Sequence, residues 1–170
     1  ENPKNAVFKA EDFDPTFIQM LRADQQILEA MCADWEMVDV EGDDDSKFAK
    51  FNDILKHELF KKDRNPGQKL VIFSESKDTV EYLQRRLNRK DVLVIDSSNR
   101  TKLFKTIQEN FDANYKKSLR KDDYNIIITT DVLAEGVNLH RSNIIINYDT
   151  PWNSTKLMQR IGRVNRIGSE

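Results

Sequence analysis

Two rhythms of apolar residues divide the chain. In the first part, Phe17, Leu21, Leu28, Met31 and Trp35 recur at helical spacing, which predicts a helix down to about Ala33 or beyond. Asp14–Pro15 sits just ahead of it as a helix start, an N-cap followed by proline at the first helical position. Such a stripe is read as core rather than as a ligand site. The acidic run Glu41–Asp45 (EGDDD) reads as a linker ending at a second start signal, Ser46. A helix is then expected from about Lys47 to Lys61, with Phe48, Phe51, Leu55 and Leu59 on one face. Asp43, Asp44 and Asp45 are better placed to charge that helix's N-terminus from solvent than to hold a metal.

After the turn Asn65–Pro66–Gly67 the rhythm changes. Leu70–Phe73, Val92–Ile95, Ile126–Ile128 and Ile144–Ile146 are short, nearly continuous apolar runs, as expected of strands buried on both faces. Helices are expected between them at about Asp78–Arg89 (Val80, Leu83 and Leu87 inward) and Arg100–Asn114 (Leu103, Phe104, Ile107 and Phe111 inward). Strands alternating with helices predict an α/β fold, a parallel sheet flanked by helices on both faces, with an N-terminal helical extension. The division expected is residues 1–66 as extension and 67–170 as the α/β lobe. Ligands on such sheets sit beyond the carboxyl ends of the strands. Four polar segments fall on that edge: Ser74–Ser76, Asp96–Asn99, Thr129–Asn138 and Asp149–Ser154.

The last stretch, Asn143–Gly168 (NIIINYDTPWNSTKLMQRIGRVNRIG), predicts a strand, a hard turn and a helix from Ser154 to Ile167. At about 100° per residue, Gln159, Gly162, Arg163 and Arg166 fall on one side of that helix, roughly opposite Leu157, Ile161 and Val164. Two guanidiniums one turn apart can grip a phosphate chain, although a basic surface helix is the simpler alternative. Gly162 weighs against the simpler reading, because a mid-helix glycine costs about 1 kcal/mol against alanine. Something is expected to approach the backbone there.

Composition narrows the class. With 170 residues and a formal net charge of −2, one lobe plus an extension is expected, without the basic footprint that announces nucleic acid. Cys32 is the only cysteine, so no intramolecular disulfide can form, and His57 and His140 lie far apart, against a structural zinc. No apolar run reaches membrane-spanning length, and residues 1–10 lack a signal-peptide pattern, so a soluble, cytoplasmic protein is expected; the abrupt start and stop are those expected of a fragment of something larger.

The chemistry on offer is half a site. No glycine stands in a G-x-x-x-x-G-K-[ST] loop, so the chain does not cradle a triphosphate in that way. Asp122–Asp123, in a lysine-rich loop, reads as solvated rather than as a magnesium site. The segment Thr129–Leu139 (TTDVLAEGVNL) follows a strand and offers hydroxyls, an acid, a glycine and an amide. Thr129 and Thr130 could contact a phosphate backbone, Gly136 permits close approach, and Asn138 could reach a sugar hydroxyl. An ordinary strand-to-helix turn explains the same residues equally well.

TDVLAEGVN resembles motif V of superfamily 2 helicases, QRIGRVNR resembles their motif VI, and FSES (Phe73–Ser76) resembles motif IV, all in the expected order. The resemblance spans Lys69 to Gly168 and implies the second, RecA-like lobe of a helicase or translocase. Gln159 in place of histidine, the Pro151–Trp152–Asn153 turn and the R-I-G ending resemble the Swi/Snf-type branch, mostly double-stranded-DNA translocases, with bacterial members. Ser154 and Ser169 depart from that branch's usual proline and glutamine, which leaves the subgroup open.

The resemblance implies ATP with Mg²⁺, both held mainly by a partner lobe that precedes this one in the same polypeptide. It implies that Arg163 and Arg166 reach that nucleotide, Arg166 as arginine finger, with Gln159, Gly136 and Asn138 near it. Ser74 and Thr129 or Thr130 match nucleic-acid backbone contacts, and no residue matches a metal ligand. Asp131 is expected to tie motif V to motif VI, and Trp152 to anchor the turn by packing rather than to touch DNA. A nucleic-acid-binding module without motor activity and a nucleotide-sensing interaction domain remain open alternatives.

Overall fold

The computed structural model describes residues 8–37, 45–134 and 136–164. The expectations placed on Glu41–Asp44, on Arg166 and on the R-I-G ending lie outside these residues. The chain divides into two compact units, Glu1–Lys47 and Phe48–Glu170.

Among its described residues, the first unit holds one long helix, α1 (Phe17–Glu36), preceded by a 3-10 turn at Ala10–Asp12. The helix starts later than Asp14–Pro15 suggested. The Asp14 carboxylate accepts from the Thr16 backbone N–H at 2.8 Å and from its hydroxyl, so it closes a turn ahead of the helix instead of capping it. These bonds hold the Asp14 carboxyl below the ordinary carboxylate range. The apolar stripe expected to be core is exposed: Leu28, Met31 and Trp35 keep 60%, 61% and 74% of their surface, and no residue of α1 is buried. Periodicity establishes that a helix has an apolar face but not that anything covers it.

Helix α2 (Ser46–His57) carries the chain into the second unit, and its Phe48, Phe51 and Leu55 are buried. They pack with Leu70, Ile72, Val80, Leu83, Ile126 and Ile128. This helix therefore packs with the strands of the α/β lobe, although the expected division counted it with the extension, and the compact units divide at 47–48. The chain then runs β1 (Leu70–Phe73), α3 (Lys77–Leu87), β2 (Val92–Ile95), α4 (Arg100–Phe111), β3 (Ile126–Thr129), β4 (Ile144–Asn147) and α5 (Ser154–Val164). The four strands form one sheet in the order β2-β3-β1-β4. Every pairing is parallel, with Leu70 level with Ile126 and Ile144. This is the RecA-like α/β architecture expected from the alternating pattern.

Alternation along the strands builds two cores. Leu70 and Ile72 face α2 and α3, while Val71 and Phe73 face Leu93, Ile95, Ile107, Phe111 and Ile127 on the other side, together with Leu133, Val137 and Leu139 from the loop after β3. Ser76 caps α3 by accepting from the Asp78 N–H, and Asn88, in the left-handed region at φ 45°, ends it. At the opposite edge from the strand ends that concern function, Lys69 is buried, donating to Tyr124 O at 2.7 Å and pairing with Asp122 at 3.0 Å. Asp122 also takes Arg141 at 2.6 Å, so this acid anchors its loop while its side chain stays largely exposed.

Candidate nucleotide and nucleic-acid site

The loops at the carboxyl ends of β1, β3 and β4 converge on one side chain, Arg160 of α5. It is fully buried. Its Nε donates to Asp131 Oδ1 at 2.7 Å, Nη1 to Asn147 Oδ1 at 2.8 Å and Nη2 to Glu75 Oε1 at 2.9 Å. Its guanidinium carbon lies 5.2 Å from the centre of the Phe73 ring. Lys156, one turn earlier, pairs with Asp131 at 2.9 Å and with Glu75 at 3.5 Å. Two cations and two carboxylates thus form a closed network. Burial pushes the Asp131 carboxyl up, but the hydrogen bonds and charges of Lys156 and Arg160 outweigh it and hold that carboxyl below its ordinary value. Hydrogen bonding to Asp131 raises the Lys156 ammonium.

The segments resembling motifs IV, V and VI are therefore physically joined: Glu75 comes from the first, Asp131 from the second and Arg160 from the third. The tie expected of Asp131 is present. Arg160 itself, with Glu75, Asn147 and Lys156, was not singled out in the sequence, although its position offered a signal. On the helical wheel it lies next to the apolar residues Leu157, Ile161 and Val164 rather than with the polar set. A charged residue at the edge of a helix's apolar face needs a buried partner.

Arg163 braces the loop after β3. Its Nε donates to Ala134 O at 2.7 Å, and its own carbonyl accepts from the Leu139 N–H at 3.0 Å. One residue thereby holds both ends of the segment 134–139. Its Nη groups have no partner among the described residues. Gly136, between those ends, has φ +77° and is exposed, and a Cβ there would meet Arg100 Nη2 at 2.6 Å. The close neighbour at Gly136 in this structure is Arg100, from within the lobe. At Gly162 no described residue, the helix's own backbone aside, lies within 4 Å of where a Cβ would stand, so no described neighbour accounts for that glycine.

Gln159 and Asn138 are half-buried, and the amide of each has no hydrogen-bond partner among the described residues. Gln159 lines a cleft of about 260 Å³ with Arg100, Asp131, Val132, Ala134 and Lys156.

The hydroxyls expected at a nucleic-acid backbone are placed differently. Ser74 and Thr129 are fully buried. Ser74 Oγ donates to Asp149, and Thr129 Oγ1 lies 2.9 Å from Ile95 O, so both face inward and stitch strand ends together. Short apolar strands leave no polar side chain outside the lobe until the chain has passed their last residue, and Thr130, half-buried, is the first to emerge. Trp152 does not pack beneath its turn; it is fully exposed. Pro151 takes the buried position, while Asn153 Oδ1 accepts from the Thr155 N–H at 2.8 Å at the start of α5.

Residues 46–168 match the family model described as helicase conserved C-terminal domain. An uncharacterised ATP-dependent helicase, YqhH, of Bacillus subtilis (strain 168) is 35% identical over 102 residues, covering 60% of this chain and 17% of that protein. The ATP-dependent RNA helicase eIF4A of Kluyveromyces lactis is 32% identical over 98 residues, covering 58% of this chain and 23% of that protein. The chain thus spans less than a quarter of these curated relatives. Among solved structures, the C-terminal part of the Fun30 ATPase domain superposes with a TM-score of 0.55 at 21% identity, over 73% of this chain and 37% of that one.

Proposed function

The chain belongs to the helicase conserved C-terminal domain family, and from that premise we propose that it is the second motor lobe of an ATP-dependent, Swi/Snf-like nucleic-acid translocase. The observation that carries this reading is the convergence of motif segments IV, V and VI on Arg160, with Gln159 and Arg163 presented beside it on the same sheet edge. A lobe built this way supplies arginines to a nucleotide held elsewhere. It has no phosphate-cradling glycine loop of its own, so ATP and Mg²⁺ belong mainly to a partner lobe of the same polypeptide.

The residues present fit a nucleotide's polyphosphate as one wall of its site. Arg163 has its Nε committed to Ala134 O, which orients the guanidinium and leaves its terminal nitrogens for a ligand. Arg166, three residues later in the sequence, is assigned the arginine finger, stabilising charge on the transferring phosphoryl group. Gln159 and Asn138 offer amides, and exposed Gly136 offers backbone. Bound ATP supplies the phosphoryl group whose hydrolysis the closed cleft promotes; this lobe's part is to bind, orient and exclude water. On the nucleic-acid side, Thr130 is the best-placed hydroxyl, with Trp152 exposed where it can stack on bases. Double-stranded DNA is the polymer we assign, from the Swi/Snf-like residues Gln159 and Pro151–Asn153; the RNA helicase eIF4A relatives make RNA the alternative to test.

The test is Arg166→Ala in the full-length polypeptide. ATP turnover is expected to be lost with nucleic-acid affinity largely retained, and unchanged turnover refutes the assignment. The 170-residue chain alone is expected to hydrolyse no ATP, so nucleic-acid-stimulated turnover by it would refute the half-site reading.

A further inference from the structure

Arg100 lies in none of the three motif segments, yet it lines the same cleft as Gln159. It is the first residue of α4, and its guanidinium rests against Gly136, so closely that a methyl group there would sit 2.6 Å from Nη2. The cleft, about 260 Å³, is walled by Arg100, Asp131, Val132, Ala134, Lys156 and Gln159. That is below the ~300–1,000 Å³ of pockets that enclose a whole small molecule. It suits one charged group at the end of a larger ligand.

The polar walls differ in their commitments. Asp131 and Lys156 answer each other and are closed into the network with Glu75 and Arg160. The Gln159 amide has no partner among the described residues. Arg100 carries five N–H donors in a fixed fork, so an internal partner does not exhaust it. We propose that Arg100, seated on Gly136, forms with Gln159 a subsite for one phosphate group, adding a guanidinium from α4 to those of α5. Gly136 is then needed twice: for its positive φ, and because a side chain would push the guanidinium off its seat. The subsite rests on the reading of this chain as a nucleic-acid motor lobe. The phosphate belongs either to the nucleic-acid backbone or to the nucleotide.

Salt dependence separates the two. Full-length wild type, Arg100→Gln, Arg100→Lys and Gly136→Ala would be titrated with a fluorescein-labelled 20-base-pair DNA duplex across a series of salt concentrations, and KM for MgATP measured in parallel. A backbone contact predicts that Arg100→Gln and Gly136→Ala each lower the slope of log K against log salt by about 0.9, the value for one duplex phosphate. Arg100→Lys, which keeps the charge, would hold the slope. A nucleotide contact predicts an unchanged slope and a KM for ATP raised several-fold by the same two variants. Either pattern supports the subsite and identifies its source. If wild type shows salt-dependent binding and turnover but Arg100→Gln alters neither slope nor KM, the subsite is overturned while the motor reading stands. If wild type shows neither property, both fall.

Discussion

Removing Arg160 should destabilise the lobe more than any other single polar substitution at the strand ends. Its fully buried guanidinium bonds Asp131, Glu75 and Asn147 and stacks on Phe73. Hydrogen bonds to charged groups are worth about 1.5–3 kcal/mol each, but they do not simply add here. Asp131 and Glu75 keep 30% and 35% of their side-chain surface, so water can reach them once the arginine is gone. Lys156 also remains beside both, at 2.9 and 3.5 Å. Those two facts place Arg160→Ala at the lower end of the ~3–5 kcal/mol seen when one partner of a buried pair is deleted, about 3 kcal/mol. With a urea m-value of about 2 kcal/mol/M, the unfolding midpoint should drop by about 1.5 M, read by far-UV circular dichroism. Arg160→Lys keeps the charge but loses the three-way fork, and should cost about half as much. A double-mutant cycle with Asp131→Asn should return a coupling of about 1–3 kcal/mol. A shift below about 0.3 M for Arg160→Ala, or no coupling, would refute the idea that this arginine joins the strand-end loops.

Acid should weaken the lobe through the same network. Burial pushes the carboxyls of Asp131 and Asp122 up, but Lys156 with Arg160, and Lys69 with Arg141, hold both below their ordinary values. Carboxyls lowered by folding contribute stability above the ordinary aspartate range, near ~3.9, and lose it as the pH falls through their folded values. The urea midpoint should therefore fall steadily below about pH 4, less steeply in Asp131→Asn, and a midpoint that rises on acidification would contradict this. Trp152, fully exposed at the rim, is expected to stack on nucleic acid. Within these 170 residues alone, a Trp35→Phe background leaves it as the remaining tryptophan. Its fluorescence should be quenched on binding and Trp152→Ala should weaken affinity at least ~5-fold; an unmoved signal places the polymer elsewhere.

What the sequence made legible, and what it hid, divides along a physical line. The two inner strands were legible because a strand buried on both faces must be apolar throughout, as Leu70–Phe73 and Ile126–Ile128 are; the edge strands Val92–Ile95 and Ile144–Asn147 share the apolar run but are only partly buried. The strand-end loops followed, since a parallel sheet carries its polar connections at one edge. Strand order was hidden: β1 lies between β3 and β4, pairings that join residues far apart in the chain and leave no local trace. The covering of apolar surface was hidden as well. The same periodicity describes α1, which is exposed, and α2, which is buried, because a helix's stripe says nothing of its neighbour. Trp152 was misjudged for the related reason that size and apolarity favour burial only where a cavity exists to receive them.

Arg160 shows how a position can be readable and still missed. Attention to Arg163 and Arg166 follows from seeking groups that could face a ligand, whereas Arg160 is buried within the lobe, where it holds the strand-end loops still. A buried guanidinium with partners on the loops after β1 and β3 and at the end of β4 penalises any motion that separates one of them from α5. Arg163 then fixes both ends of the loop 134–139 to the same helix. On the proposed reading, closing a cleft against a partner lobe would consequently carry the three motif segments together. The alternative, in which the loop after β3 moves alone, would first have to break the Arg160–Asp131 pair, and Arg160→Ala tests it: ATP turnover that survives undiminished in a variant still folded would mean the segments need not move as one.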